Sequence, residues 1–384
     1  MEALSTTAIW AEAFSRFALV WIGMAIVFAL SIFLKRSLSL YGRLFDSPVG
    51  MLGFGIILFW VLTAVLASQV APFSPLDQVL SMKNAAPGKI ETDLGISYLF
   101  GGDNLGRDVF SRMVWGSQTV LAIAPFATLF AFMVGVTLGL PAGYFGGWLD
   151  TLLSFLANLV LAFPVILLFF LLVTPEIARE TKIPTTLAAI LFAFPLLFFT
   201  VLVYSKYHTQ PDKVWLILGI GLALGFWAYA GLAFNRDPLG VFGMDPNRLN
   251  IFVSVVFVNS PTVFRIVRGM TLDIKTRDYV AAAQTRGEGP WYVMLWEVLP
   301  NARGPLIVDF CLRVGYTTIL LGTLGFFGLG VSPESADWGF TINDGRRLLL
   351  VTVYPAMAPA LALMSLVLGL NLLADGLREQ SMRD

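Results

Sequence analysis

The chain has 384 residues, of which 57% are apolar and 13% charged, with 25 basic and 25 acidic side chains and a mean hydropathy of +0.78. Soluble domains carry about a quarter charged residues, so this composition belongs to a bilayer, and a net charge of zero gives no reason to expect a nucleic acid or another polyanion as partner. One cysteine, Cys311, excludes an internal disulfide and a cysteine-based metal cluster, and one histidine, His208, excludes a His-pair metal site.

A membrane helix needs about 20 apolar residues. Nine stretches qualify: 17–34, 49–70, 118–140, 149–173, 186–204, 213–233, 250–267, 305–329 and 352–375. Helices are expected because backbone polar groups in lipid must be satisfied within the segment, and the alternation of barrel strands is absent. The first stretch is not a secretory leader, since Lys35 and Arg36 follow its apolar run. With Arg43 they place the next loop in the cytoplasm. Alternation then puts 268–304 inside, with Arg268, Lys275, Arg277, Arg286 and Arg303, and leaves Arg107, Arg112, Arg346 and Arg347 outside.

The polar stretch after the second span contains GGDNLGRDVFSR (101–112). Asp108 and Arg112 are spaced i,i+4, which suits a surface-helix ion pair worth a few tenths of a kcal/mol or a motif at an outer mouth. AGYFGGWLD (142–150) reads as a tight glycine turn between spans. LAFP (161–164) puts Pro164 where it kinks a helix, with packing as the simpler reason. His208, in SKYHTQPDK, reads as a solvated loop residue. No G-x-x-x-x-G-K-[ST] phosphate loop occurs, so the chain is not its own ATPase.

DYVAAAQTRGEGPWYVMLWEVLPN (278–301) is too polar to span and too patterned to be a plain connector. Its alanines favour a short helix of little bulk. Gly287 closes that helix, Pro290 opens a second, and the second ends at Pro300. One reading is an interfacial helix with Trp291, Tyr292 and Trp296 as an aromatic belt. The other is a small-residue knob that enters a groove on a soluble partner. Farther on, Asp309 and Arg313 lie four apart in an apolar span, hence on one face. A mutual ion pair is the simpler reading, and contact with a substrate's termini the alternative.

The 278–301 loop resembles the cytoplasmic coupling loop of ABC-importer permeases, through Ala282, Ala283, Gly287, Leu299 and Pro300. The match extends to GGDNLGRDVFSR, AGYFGGWLD with LAFP, FFGLGVSPESADWG (326–339) and NLLADGLRE (371–379), in the order of the dipeptide and oligopeptide subfamily. It covers roughly 44–175 and 250–379 and is nearest the C-type subunit. Ala281 replaces the family's Glu, Glu297 a position often His, Gly102 a usual Thr, and Phe155 and Asn158 an Arg and an Asp.

The resemblance implies an all-α integral membrane protein with a type I importer core of six spans plus three extra, multi-pass in the bacterial cytoplasmic membrane. It implies an added N-terminal span (1–40), a first core part (41–175) with outer loop 71–116, an inserted helix pair (176–249) and a second core part (250–384). The docking loop is then Asp278, Tyr279, Ala282, Ala283, Gly287, Glu297, Leu299 and Pro300. The outer-mouth motif is Asp103, Gly106, Arg107, Asp108, Ser111 and Arg112, and the path candidates are Asn158, Pro164, Asp309 and Arg313. The inserted helices are expected to pack peripherally. Expected partners are a homologous second permease, two ATPase subunits, an extracellular substrate-binding protein and a peptide. This chain is expected to be no enzyme and to bind no metal or cofactor, with ATP and magnesium on the ATPase chains. The alternatives are an ion-coupled secondary transporter using Asp309, a scaffold without transport, or an importer of nickel complexes or other small solutes.

Overall fold

The computed structural model describes residues 3–35, 42, 44–234, 236–237, 239–241, 243–329, 335–350 and 352–381. Arg36, Arg43 and part of the 326–339 motif lie outside these residues. Helices α1 (Thr6–Arg16) and α2 (Ala18–Phe33) form a pair bent by 51° at Phe17, so the expected first span is one arm of a bent pair. Next come α3 (Pro48–Val65) and α4 (Ala67–Val70). The segment between α4 and the next long helix holds a small antiparallel hairpin, β1 (Lys89–Glu91) with β2 (Ile96–Tyr98). Then follow α5 (Val109–Phe145), α6 (Gly147–Ala162), α7 (Val165–Val173), α8 (Pro175–Thr181), α9 (Ile183–Leu191), α10 (Ala193–Tyr207), α11 (Pro211–Phe234) and α12 (Pro246–Ile274). Helix α13 (Asp278–Thr285), α14 (Pro290–Tyr292), a π turn (Val293–Val298), α15 (Leu299–Phe326), α16 (Trp338–Arg346) and α17 (Tyr354–Ser381) complete the order. Among the described residues seven helices are long and apolar enough to cross a membrane, or nine if each of two bent pairs is one span.

The chain forms two compact units, 1–125 with 311–384, and 126–310. In the first, α3 packs along α17 at glycines: a Cβ on Gly53 would come within 2.7 Å of the Gly369 carbonyl oxygen. Trp60 Nε1 donates to Ser365 Oγ at 2.8 Å across the same pair. In the second, the C-terminal half of α5 lies on α12 through a glycine face with a period of four. A Cβ would stand 2.5 Å from Val263 Cγ1 at Gly135, 2.9 Å from Val267 Cβ at Gly139 and 2.7 Å from Thr271 Cβ at Gly143. In lipid, close backbone approach replaces the hydrophobic effect as the source of helix association. Helices α6, α7 and α9 also pack on α12, and α11 packs on α9 and α10.

Two expectations need correction. The stretch 149–173 is not one continuous kinked helix, because α6 and α7 meet at 87°. Pro164 has no N–H to continue the ladder, and it drives Phe163 into extended backbone (ψ 136°), which makes a corner rather than a bend. The helix opened by Pro290 does not stop at Pro300. Pro300 lies in the first turn of α15, and the helical path continues to Phe326. Its missing N–H leaves the Trp296 carbonyl without the usual donor, and its ring crowds that carbonyl. The turn before it widens to a π turn, Val293–Val298, and the helix passes through.

Candidate functional site

The loop between α12 and α15 is built on a two-faced short helix. Val280 and Ala283 of α13 are buried with Val136, Leu140, Val263, Val267, Met294 and Val298 in one core cluster of the second unit. Asp278, Tyr279, Ala281, Ala282 and Thr285 stand on the exposed face, so apart from Tyr279 that face is low and polar or methyl-sized. Gly287 closes the helix at φ +84°. Its N–H donates to Gln284 O at 3.0 Å, and the N–H of Glu288 reaches back to Ala283 O at 3.3 Å. This is the paired bonding of a Schellman end, which uses a left-handed residue that glycine supplies without a Cβ penalty.

Side chains then fix the loop to its neighbours. Arg286 Nη2 donates to Glu297 Oε1 at 3.0 Å, joining the two arms of the loop. Gln284 Nε2 donates to the Tyr144 hydroxyl at 2.9 Å. Lys275 Nζ donates to Gly143 O at 2.7 Å and Tyr144 O at 3.2 Å, capping the carbonyl end of α5. Arg268 grips Asp150 with Nε and with Nη2, the latter at 2.6 Å. Leu299 packs against the core cluster, while Pro300 is exposed.

Of the path candidates in this unit, Pro164 is the corner between α6 and α7. Asn158 is exposed on α6 and accepts from Arg265 Nη2 at 2.6 Å. Arg265 is a residue that sequence reasoning missed. An arginine inside an apolar span was the available signal, because charges at such depth mark functional positions or interior contacts. Tyr144 and Asp150 were missed as well, since nothing local shows that they bond Gln284 and Arg268 more than a hundred positions away. Asp309 is half-buried in this unit, and Arg313, in the first unit, is buried.

In the first unit the 101–112 motif folds into a buried polar knot. Asp103 Oδ1 accepts from the N–H of Leu105 at 2.8 Å and of Arg107 at 2.9 Å, and Oδ2 takes Arg107 Nε at 2.6 Å. Arg107 Nη2 continues to Asp344 Oδ2 at 3.2 Å. Gly106 turns the chain at φ +77°. The expected Asp108–Arg112 surface pair does not form, because both residues are buried and aim apart. Asp108 Oδ2 accepts from Ser111 N and Oγ at 2.8 and 2.7 Å. Arg112 donates to Pro75 O at 3.0 Å and Ser335 O at 2.9 Å, with its Nε 3.9 Å from Asp103. Trp338 Nε1 donates to Met113 O at 2.8 Å, so the motif and the SADWG segment close on each other. Burial pushes the Asp108 carboxyl up to about 6 against its Ser111 bonds. It does the same to Asp337, also to about 6, against the N–H groups of Phe340 and Gly339.

Apolar helices of this length and number define a multi-pass membrane protein. The model of the family described as "Binding-protein-dependent transport system inner membrane component" matches residues 135–381, more than half of the chain. A second, "N-terminal TM domain of oligopeptide transport permease C", matches residues 40–87. The chain belongs to this family of ABC-importer permeases. It is 29% identical to the glutathione transport system permease protein GsiD of Pectobacterium atrosepticum over 74% of this chain and 71% of that protein. It is 26% identical to the dipeptide transport system permease protein DppC of Alkalihalophilus pseudofirmus, over 88% of this chain and 87% of the relative. The same named protein of Haemophilus influenzae is 26% identical over 86% and 88%.

Proposed function

We propose that this chain is the transmembrane permease subunit of an ATP-driven importer of small peptides in the bacterial inner membrane. It pairs with a homologous permease, and two ATPase subunits dock on the 278–301 loops. ATP and magnesium are held by those ATPases, and an extracytoplasmic binding protein delivers the substrate. Peptides are favoured because similar chains are named for dipeptide transport and for transport of the tripeptide glutathione.

One observation carries the reading. The loop's short helix has one face buried in the core cluster and the other exposed and small, and side-chain bonds tie its end to α5 and to the π turn. A soluble motor can move membrane helices only if the element it grips moves with them. The exposed Ala281 and Ala282 admit a close partner, while Val280 and Ala283 transmit its displacement inward.

The test is recovery of an ATPase with the full chain from mildly solubilised membranes. Ala282→Trp fills the exposed face without touching the core. Gly287→Pro forbids the positive φ that the turn requires. Native recovery with loss in both variants, at unchanged chain abundance, supports docking at this loop. Absence of any ATPase with the native chain would overturn the importer reading and favour an ion-coupled transporter.

A further inference from the structure

The inserted helices were expected to pack peripherally, and α11 does: its contacts are to α9 and α10, and few of its residues are buried. Helix α10 behaves differently. Phe198, Val201 and Leu202 pack on the same cluster that holds Val280 and Ala283. At its end Ser205 is buried, and Ser205 Oγ accepts from Trp296 Nε1 at 3.1 Å. That hydroxyl donates its own proton to Leu202 O at 2.9 Å, so its lone pairs are free to receive the indole N–H. Lys206 Nζ stands 4.8 Å from the centroid of the Trp296 ring, within cation–π range.

Trp296 belongs to the π turn, the one stretch of the Pro290–Phe326 path without α-helical bonding. Its neighbour Glu297 carries the bond to Arg286 that joins the loop's two arms. An apolar cavity of about 330 Å³ is lined by Leu197, Phe198 and Val201 of α10 and by Trp291, Met294 and Leu295. The polar contacts at Trp296 add a directional tie to the apolar packing between α10 and the loop.

We propose that the insertion braces the coupling loop, with Ser205 and Lys206 fixing Trp296 and Trp296 acting as a positioning residue for the π turn. The proposal rests on the docking reading above for its functional consequence, and the segment 182–234 is thus part of the transmission rather than a lipid-facing ornament. A helix pair added to the family core has been tied to the element that moves.

The test uses the complete chain in membranes with whatever ATPase co-purifies. Variants are Ser205→Ala, Lys206→Met, the two together, and Ser205→Thr, which keeps the hydroxyl. The readouts are amide hydrogen exchange of residues 290–298 and ATP turnover of the complex. Loss of one hydrogen bond and one cation–π contact should speed exchange in the π turn about three- to tenfold. ATP turnover should change alongside, with the ATPase still bound and Ser205→Thr close to native. Unchanged exchange and turnover in the double variant would overturn the brace and leave docking untouched. If no ATPase co-purifies with the native chain, the docking reading fails on its own, and exchange still decides the brace: faster exchange sustains it, unchanged exchange rejects it.

Discussion

Asp108 is almost fully buried, with Ser111 as hydrogen-bond partner to one carboxylate oxygen and none among the described residues for the other. Its carboxyl is raised from 3.8 to about 6 by burial. A carboxyl raised in the folded state holds more protons there than in the unfolded chain. It therefore contributes stability below about pH 4, and that contribution is lost as pH rises through about 6. Asp337 follows the same sign. Asp108→Asn keeps an acceptor for Ser111 without the charge. It should raise stability by about 1–2 kcal/mol above pH 6 and flatten the fall in thermal midpoint between about pH 4 and 6. An equal pH slope in the variant would reject this assignment. Arg112 lies in the same knot with no exposure. Replacing its fork by one ammonium, Arg112→Lys, should destabilise this unit by about 2–4 kcal/mol, read as faster proteolysis of the 71–100 loop.

Among the elements, the glycine face of α5 controls the second unit. A leucine at 139 would need to occupy space within 2.9 Å of Val267 Cβ and 3.0 Å of Phe264 O, so Gly139→Leu should separate α5 from α12 at a cost of about 3 kcal/mol or more. Lost expression that Gly139→Ala partly restores would agree, and full function in the leucine variant would not. Gly287 differs, because a Cβ there meets nothing within 4 Å. Gly287→Ala should cost only the left-handed strain, about 1 kcal/mol. Most of these elements were legible beforehand. Apolar run length gave the spans, and the alanines, Gly287 and Pro290 gave the loop's first helix and its turn. The spacing of Gly135, Gly139 and Gly143 was visible too, but not the face of α12 that fits it. What was not legible depends on partners far along the chain. The buried Arg112 needs residues 335–341, and the passage of the helix through Pro300 needs a π turn that no local propensity announces.

For the whole molecule the question is how the chain crosses the membrane. Ser205 against Trp296 puts the 208–210 turn on the side of the 278–301 loop. His208→Cys and Thr285→Cys should thus react with an impermeant thiol reagent from the same face, in inside-out vesicles and not in intact cells. Cys311 is buried and should stay silent in both. Opposite labelling of the two positions would reject this placement of the 208–210 turn. The π turn adds a consequence of a genetic kind. Such a turn takes one residue more than an α turn, so it stores a single-codon insertion inside an otherwise regular helix. Deleting one codon from 293–298 should keep Leu299–Phe326 facing as before, move Trp296 away from Ser205 and set the Pro300 ring back against the carbonyl one turn earlier. The extra residue in the π turn thus constrains which deletions the gene can survive.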